Sequence, residues 1–135
     1  MEKKETESKS ESKNKVTGED IAQYAQKFLG YKYVYGGASP SGFDCSGLVY
    51  YVYKQFGYKL SRASTAQAKE GKEFAKKDLK PGDVLIFKNN ALTKIGHVGI
   101  YIGNGQIVHA STPSSGIKIG SATYREILAV RRIIN

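Results

Sequence analysis

The sequence predicts an α+β domain, its helices gathered in the first half and packed on an antiparallel β-sheet formed by the second. Two patterns predict it. Apolar residues recur at helical spacing in the segments before residue 72, whereas from residue 80 onward they fall into short runs separated by Gly, Asn and Pro. The size agrees: 135 residues, 40% of them hydrophobic, suffice for one core and are too few for two ordinary domains.

Residues 1–17 are read as a disordered polar tail or linker. They hold five Lys against four Glu and, after Met1, a single apolar residue, Val16, so burial cannot offset the entropy of ordering them. The domain is placed at residues 18–135. Thr17 followed by Asp20 reads as a cap, and Ile21, Ala22, Ala25, Phe28 and Leu29 form one stripe until Gly30 ends the first helix. After the Gly- and Tyr-rich loop YKYVYGGASPSG, a second helix is expected from Asp44 or Cys45 to Phe56, with Leu48, Val49, Val52 and Phe56 on one face. LSRASTAQAKEG, residues 60–71, predicts a short third helix capped by a Ser. KPGDVLIF predicts a turn into a strand, HVGIYIGNGQIVHA two strands around a Gly-Asn-Gly turn, and GIKI and ILAVRRII two more.

The formal net charge of +9 belongs to the domain, since the tail is nearly balanced. The basic residues are scattered apart from KEGKEFAKKDLK, which lacks the interleaved aromatics of a single-strand binder, so nucleic acid is not the expected partner. No run approaches a membrane span and no apolar leader follows the N-terminal charges; the chain as written reads as soluble, without stable membrane insertion.

One cysteine, Cys45, cannot form an internal disulfide, so it is either buried filler or a reagent. Its expected place in the first turn of a helix puts it beside unpaired backbone N–H groups and the positive end of the helix dipole. Both favour thiolate, and a nearby imidazolium lowers the thiol pKa further. The same N–H groups suit an oxyanion. The only two histidines, His97 and His109, fall on the expected hairpin. With a three-residue turn, Gly99 lies opposite His109, and His97 is diagonal to His109 on the same face; a two-residue turn separates them. Either histidine alone reads equally well as a core or surface residue. Together with Cys45 they fit nucleophile, base and orienter; zinc binding by the three is the weaker alternative, because their spacing matches no compact ligand pattern.

YVYGGASPSGFDCSGLVYYVY, LSRASTAQ, LKPGDVLIF and HVGIYIGNGQIVHAS, in this order, resemble the NlpC-type peptidoglycan cysteine peptidases across roughly residues 18–135. The resemblance implies a reduced papain-like fold, and hydrolysis of stem peptides at the bond between D-γ-glutamate and a diamino acid, meso-diaminopimelate or lysine, through a thioacyl-enzyme. It further implies no cofactor, a monomer, and a place outside the cell, in the wall or the periplasm. Cys45 then corresponds to the nucleophile, His97 to the base and His109 to its orienter. Tyr33 matches a family tyrosine near the thiol, and Asp44 and Ser46 match positions of the substrate pocket, though Asp44 reads equally well as a helix cap. Arg62 and Gln67 either line the cleft or brace it, and Tyr35 stands where many relatives have tryptophan. An amidase or acyltransferase of the same broad group, a catalytically silent wall-binding module, and an effector that kills a competitor by the same chemistry are the alternatives.

Overall fold

The computed structural model describes residues 15–88 and 95–134. Most of the expected polar tail, residues 1–14, lies outside the described residues. Helix α1 spans Gly18–Ala25 and begins with a capping box: the Thr17 hydroxyl accepts from the Asp20 N–H while the Asp20 carboxylate accepts from the Thr17 N–H. A 3₁₀ turn, Gln26–Phe28, replaces the last expected turn of α1. Strands β1 (Ala38–Ser39) and β2 (Gly42–Phe43) form a small hairpin not foreseen from sequence, and α2 then runs Cys45–Lys54, ending before Phe56. The third helix is a single turn, α3 at Ser64–Gln67. Ala63 rather than a serine precedes it, and no side chain caps it; Ser61, the nearest candidate, is bonded to Glu70 instead.

The main sheet comprises β3 (Lys72–Phe74), β4 (Val84–Lys88), β5 (Ile95–Gly103), β6 (Gln106–Thr112), β7 (Gly116–Ser121) and β8 (Ile127–Arg132). Its order is β3-β8-β4-β5-β6-β7, antiparallel throughout. The α+β expectation holds. The meander, however, covers only β4 to β7, because β8 returns to pair with the free side of β4 and separates it from β3.

Both faces of the sheet are covered, which explains the unbroken apolar run VLIF in β4. Val84 and Ile86 join Ile21, Leu48, Val49, Val52, Val98 and Val108 beneath the helices, while Leu85 and Phe87 join Ile107, Ile127 and Val130 on the opposite face. A bidentate ion pair pins β8 to the start of β4: Arg132 Nε and Nη2 lie 2.8 and 2.9 Å from the buried Asp83 carboxylate, with the guanidinium stacked on Phe74. Among the described residues, no helix is long and apolar enough to cross a membrane.

Candidate active site

The segment GFDCSG builds the first half of the site. Asp44 has extended backbone and caps α2, its Oδ1 accepting from the Gly47 N–H at 2.7 Å; this makes Cys45 the first helical residue. The Gly37 carbonyl accepts from Asp44 N–H and lies so close to the helix that a Cβ on Gly47 would sit 1.9 Å from it. A side chain at Gly47 would therefore push the Gly36-Gly37 loop off the helix and loosen Cys45. Asp44 Oδ2 also accepts from Gly36 N–H and from Arg62 Nη2, each at 3.0 Å. Arg62 donates further to Ser46 Oγ and Gly37 O, and Gln67 donates to the carbonyls of Ser46 and Ser61. Arg62 and Gln67 thus brace the Cys45 turn, and Asp44 and Ser46 are held within that brace.

The hairpin β5–β6 builds the second half, by a route different from the expected one. The turn has two residues, Asn104 and Gly105, with φ of 54° and 73°, the positive values a type I′ turn needs. That alone would separate the histidines. A bulge between Tyr101 and Gly103 inserts one extra residue and restores the register Tyr101↔Ile107 and Ile100↔Val108, so the histidines keep a common face. His97 Nε2 and His109 Nδ1 are 2.8 Å apart, and both rings are buried.

The ladder between β5 and β6 stops at Ile100↔Val108, short of the histidines. On the β4 side the Tyr101 N–H donates to the Asp83 carbonyl and the Tyr101 carbonyl accepts from the Gly82 N–H, so by alternation the Val98 N–H is turned toward β6, where the ladder has ended. It meets the Cys45 sulfur instead. The opening between two strands thus receives the thiol one residue from His97. The Tyr33 hydroxyl is close enough for the charges of Cys45 and Asp44 to raise its pKa, though burial raises it more. Tyr35, by contrast, is 91% exposed and forms no packed wall.

The electrostatics correct one expectation. Burial pushes the Cys45 thiol up, outweighing the N–H groups of Val98, Ser46 and Cys45 that favour thiolate. Burial also pushes His97 down to about 3, aided by His109 and Arg125, and His109 down to about 4, aided by Lys118 and Arg125. The resting pair is therefore a neutral thiol and a neutral imidazole, because desolvation of a charge exceeds what the helix terminus supplies here.

His109 occupies a slot between glycines. A Cβ on Gly120 would lie 2.7 Å from His109 Nε2, and one on Gly99 would lie 3.3 Å from His109 Cβ. Two residues that the sequence reading missed complete the surroundings. The Tyr124 ring lies 5.2 Å from the His109 ring and 6.1 Å from that of His97, and the Arg125 guanidinium lies 5.3 Å from the Tyr124 ring centre. Nothing in SATYREI marks them, because the β7–β8 connection meets the hairpin only in the fold. Among the described residues, no group of three or more His, Cys, Asp or Glu side chains is arranged to hold a metal ion.

A thiol at a helix N-terminus, set against a strand carrying a hydrogen-bonded imidazole pair, is the type of site found in cysteine hydrolases. The comparisons give the family. Residues 30–130 match the NlpC/P60 family, and the chain belongs to it. It is 41% identical over 126 residues to the gamma-D-glutamyl-L-lysine dipeptidyl-peptidase of Bacillus subtilis, covering 90% of this chain and 43% of that protein. It is also 41% identical over 120 residues to the murein DD-endopeptidase MepS/murein LD-carboxypeptidase of Escherichia coli, covering 84% of this chain and 62% of that protein. An NlpC/P60 family protein from Bacillus cereus superposes with a TM-score of 0.84 at 29% identity, over 89% of this chain and 41% of the other. The chain thus spans about two fifths to three fifths of these proteins' lengths.

Proposed function

We propose that this domain is a cysteine endopeptidase of peptidoglycan stem peptides, acting outside the cytoplasm, in the wall or periplasm, on the amide between D-γ-glutamate and the diamino acid. Its relatives' names support the substrate class. The observation that carries the chemistry is the 2.8 Å His97–His109 bond buried beside the strand position that receives the Cys45 sulfur.

The bond assigns the nitrogens. His97 Nε2 is committed to His109, so proton exchange with the thiol runs through Nδ1. His97 then carries its resting proton on Nε2, donates it to His109 Nδ1, and keeps Nδ1 free to accept. The thiol proton moves to His97 Nδ1 as sulfur attacks the γ-carbonyl carbon, and the developing oxyanion takes hydrogen bonds from N–H groups of the first turn of α2. Imidazolium His97 returns that proton to the leaving amine as the C–N bond breaks, leaving a thioester on Cys45. Water, deprotonated by His97 Nδ1, attacks the thioester; the carboxylic acid departs and the sulfur recovers a proton. Desolvation disfavours the charged pair at rest. Tyr33 assists the oxyanion or the substrate, while Asp44 and Ser46 shape the acyl side through the Arg62 brace.

Mass spectrometry of stem peptides incubated with the wild-type domain and with Cys45→Ala tests this reading. Cleavage after D-γ-glutamate by wild type alone is expected. Equal cleavage by Cys45→Ala would overturn the mechanism.

A further inference from the structure

The reaction proposed above places the leaving amine at His97 Nδ1, so the diamino acid must depart on the histidine side of the thiol. The Tyr124-Arg125 pair, from the connection between β7 and β8, stands on that side.

Tyr124 is 42% exposed, although its ring packs on Phe87 at 5.3 Å, on His109 and on His97. It forms a wall with one surface in solvent. The Arg125 guanidinium lies 5.3 Å from the centre of that ring, near enough to both imidazoles for its charge to disfavour their protonation. Among the described residues Arg125 Nε, which is buried, has no hydrogen-bond partner and Arg125 makes no ion pair; its neighbour Glu126 is bonded to Lys88. A buried, unsatisfied guanidinium N–H is costly unless a ligand supplies an acceptor. A carboxylate on the leaving side of the substrate is the acceptor that would pair with it most strongly.

The two candidate diamino acids differ in this respect. Both side chains end in an ammonium group, but meso-diaminopimelate carries in addition a carboxylate on the same carbon, on the order of 6 Å from its Cα by standard bond lengths. A guanidinium fork is also the side chain best suited to a planar carboxylate.

We propose that Arg125, presented across Tyr124, receives the side-chain carboxylate of the leaving diamino acid and so makes the domain selective for diaminopimelate over lysine. This rests on the endopeptidase reading. The thiol, helix and histidines would process either residue; the selectivity lies in the β7–β8 connection.

The test measures kcat/KM on three L-Ala-D-γ-Glu-X peptides, in which X is meso-diaminopimelate, the same residue with its side-chain carboxylate converted to a carboxamide, or lysine. Wild type should prefer the free carboxylate by about ten-fold or more, the size expected for a charge-assisted bond. In Arg125→Gln that ratio should fall toward one, and Arg125→Lys should restore part of it. Thermal melting of each variant separates selectivity from misfolding, and the carboxamide peptide tests the proposal on wild type alone. Equal rates on the carboxylate and carboxamide peptides would overturn the proposal and leave the endopeptidase reading intact. An equal loss on all three peptides in Arg125→Gln would also overturn it, pointing to the glutamate carboxylate instead. Cleavage of none by wild type would remove the endopeptidase reading and the proposal together.

Discussion

A single methyl group at Gly120 should disable His109 without touching the thiol. The Cβ of alanine there would lie 2.7 Å from His109 Nε2, whereas ordinary contact begins near 3.4 Å, so the ring must withdraw by roughly 0.7 Å. The surroundings leave it little choice of direction. The Gly99 backbone closes one flank, Tyr124 lies 5.2 Å away, and His97 holds Nδ1 at 2.8 Å. A shift of that size takes the imidazole bond toward the 3.5 Å limit and frees His97 to turn. Losing one hydrogen bond costs about 1 kcal/mol, or roughly five-fold in rate, and a 1 Å misplacement of a catalytic group can cost about 100-fold. We expect kcat of Gly120→Ala to fall ten- to about 100-fold, with KM changed much less. The assay is steady-state cleavage of a stem peptide by four proteins: wild type, Gly120→Ala, His109→Ala and the double variant. In the His109→Ala background the slot is empty, and the added methyl should cost little more. Gly120→Ala activity within two-fold of wild type, or the same Gly120 penalty in both backgrounds, would refute the slot argument.

Other outcomes follow from the same geometry. Cys45→Ala and His97→Ala should nearly abolish turnover, with His109→Ala less severe, as kcat on one stem peptide will show. Because His97 stays neutral down to about pH 3, kcat/KM should keep an acidic limb below that of a free imidazole, and Arg125→Gln should move it upward by removing one of the charges that disfavours the imidazolium; pH–rate profiles read this directly. With its pKa raised, the Cys45 thiol should alkylate slowly at pH 7 and faster toward pH 10, seen by mass after iodoacetamide. Both histidine pKa values are depressed in the fold, so below about 6.5 the unfolded chain binds more protons; stability should fall with pH through that window toward about 3, and His109→Asn should flatten the fall in melting temperature. Asp83→Ala leaves the buried Arg132 guanidinium without its carboxylate and should destabilise the domain by about 3–5 kcal/mol in urea.

Periodicity placed α1, α2 and the strands β4 to β8 because each carries enough apolar residues on one face to declare itself, and the Thr17/Asp20 box was legible as two residues three apart. The edge strand β3, KEF, and the hairpin β1–β2 were not legible. Two- and three-residue strands have no period to read and exist only because a neighbouring strand or the GFDCSG loop pairs with them. The third helix was overread, since Gln67 looks inward to the Ser46 and Ser61 carbonyls rather than sitting on an amphipathic face. At the site, the histidine pair was predicted through the wrong turn: the two-residue Asn104-Gly105 turn would have parted the rings, and the bulge at Tyr101–Gly103 brought them back.

Local chemistry written along the chain thus determined the helix that presents Cys45, its Asp44 cap, the common strand face of His97 and His109, and the family to which these motifs belong. Tertiary structure alone decided the rest. It stopped the β5–β6 ladder so that the Val98 N–H meets the thiol, cut the Gly99/Gly120 slot for His109, and brought Tyr124 and Arg125 from another connection to the histidines. It also reversed the expected charge state of the site. A helix terminus can be read from sequence, but desolvation depends on everything packed around the group, and at Cys45 and His97 burial is the larger effect.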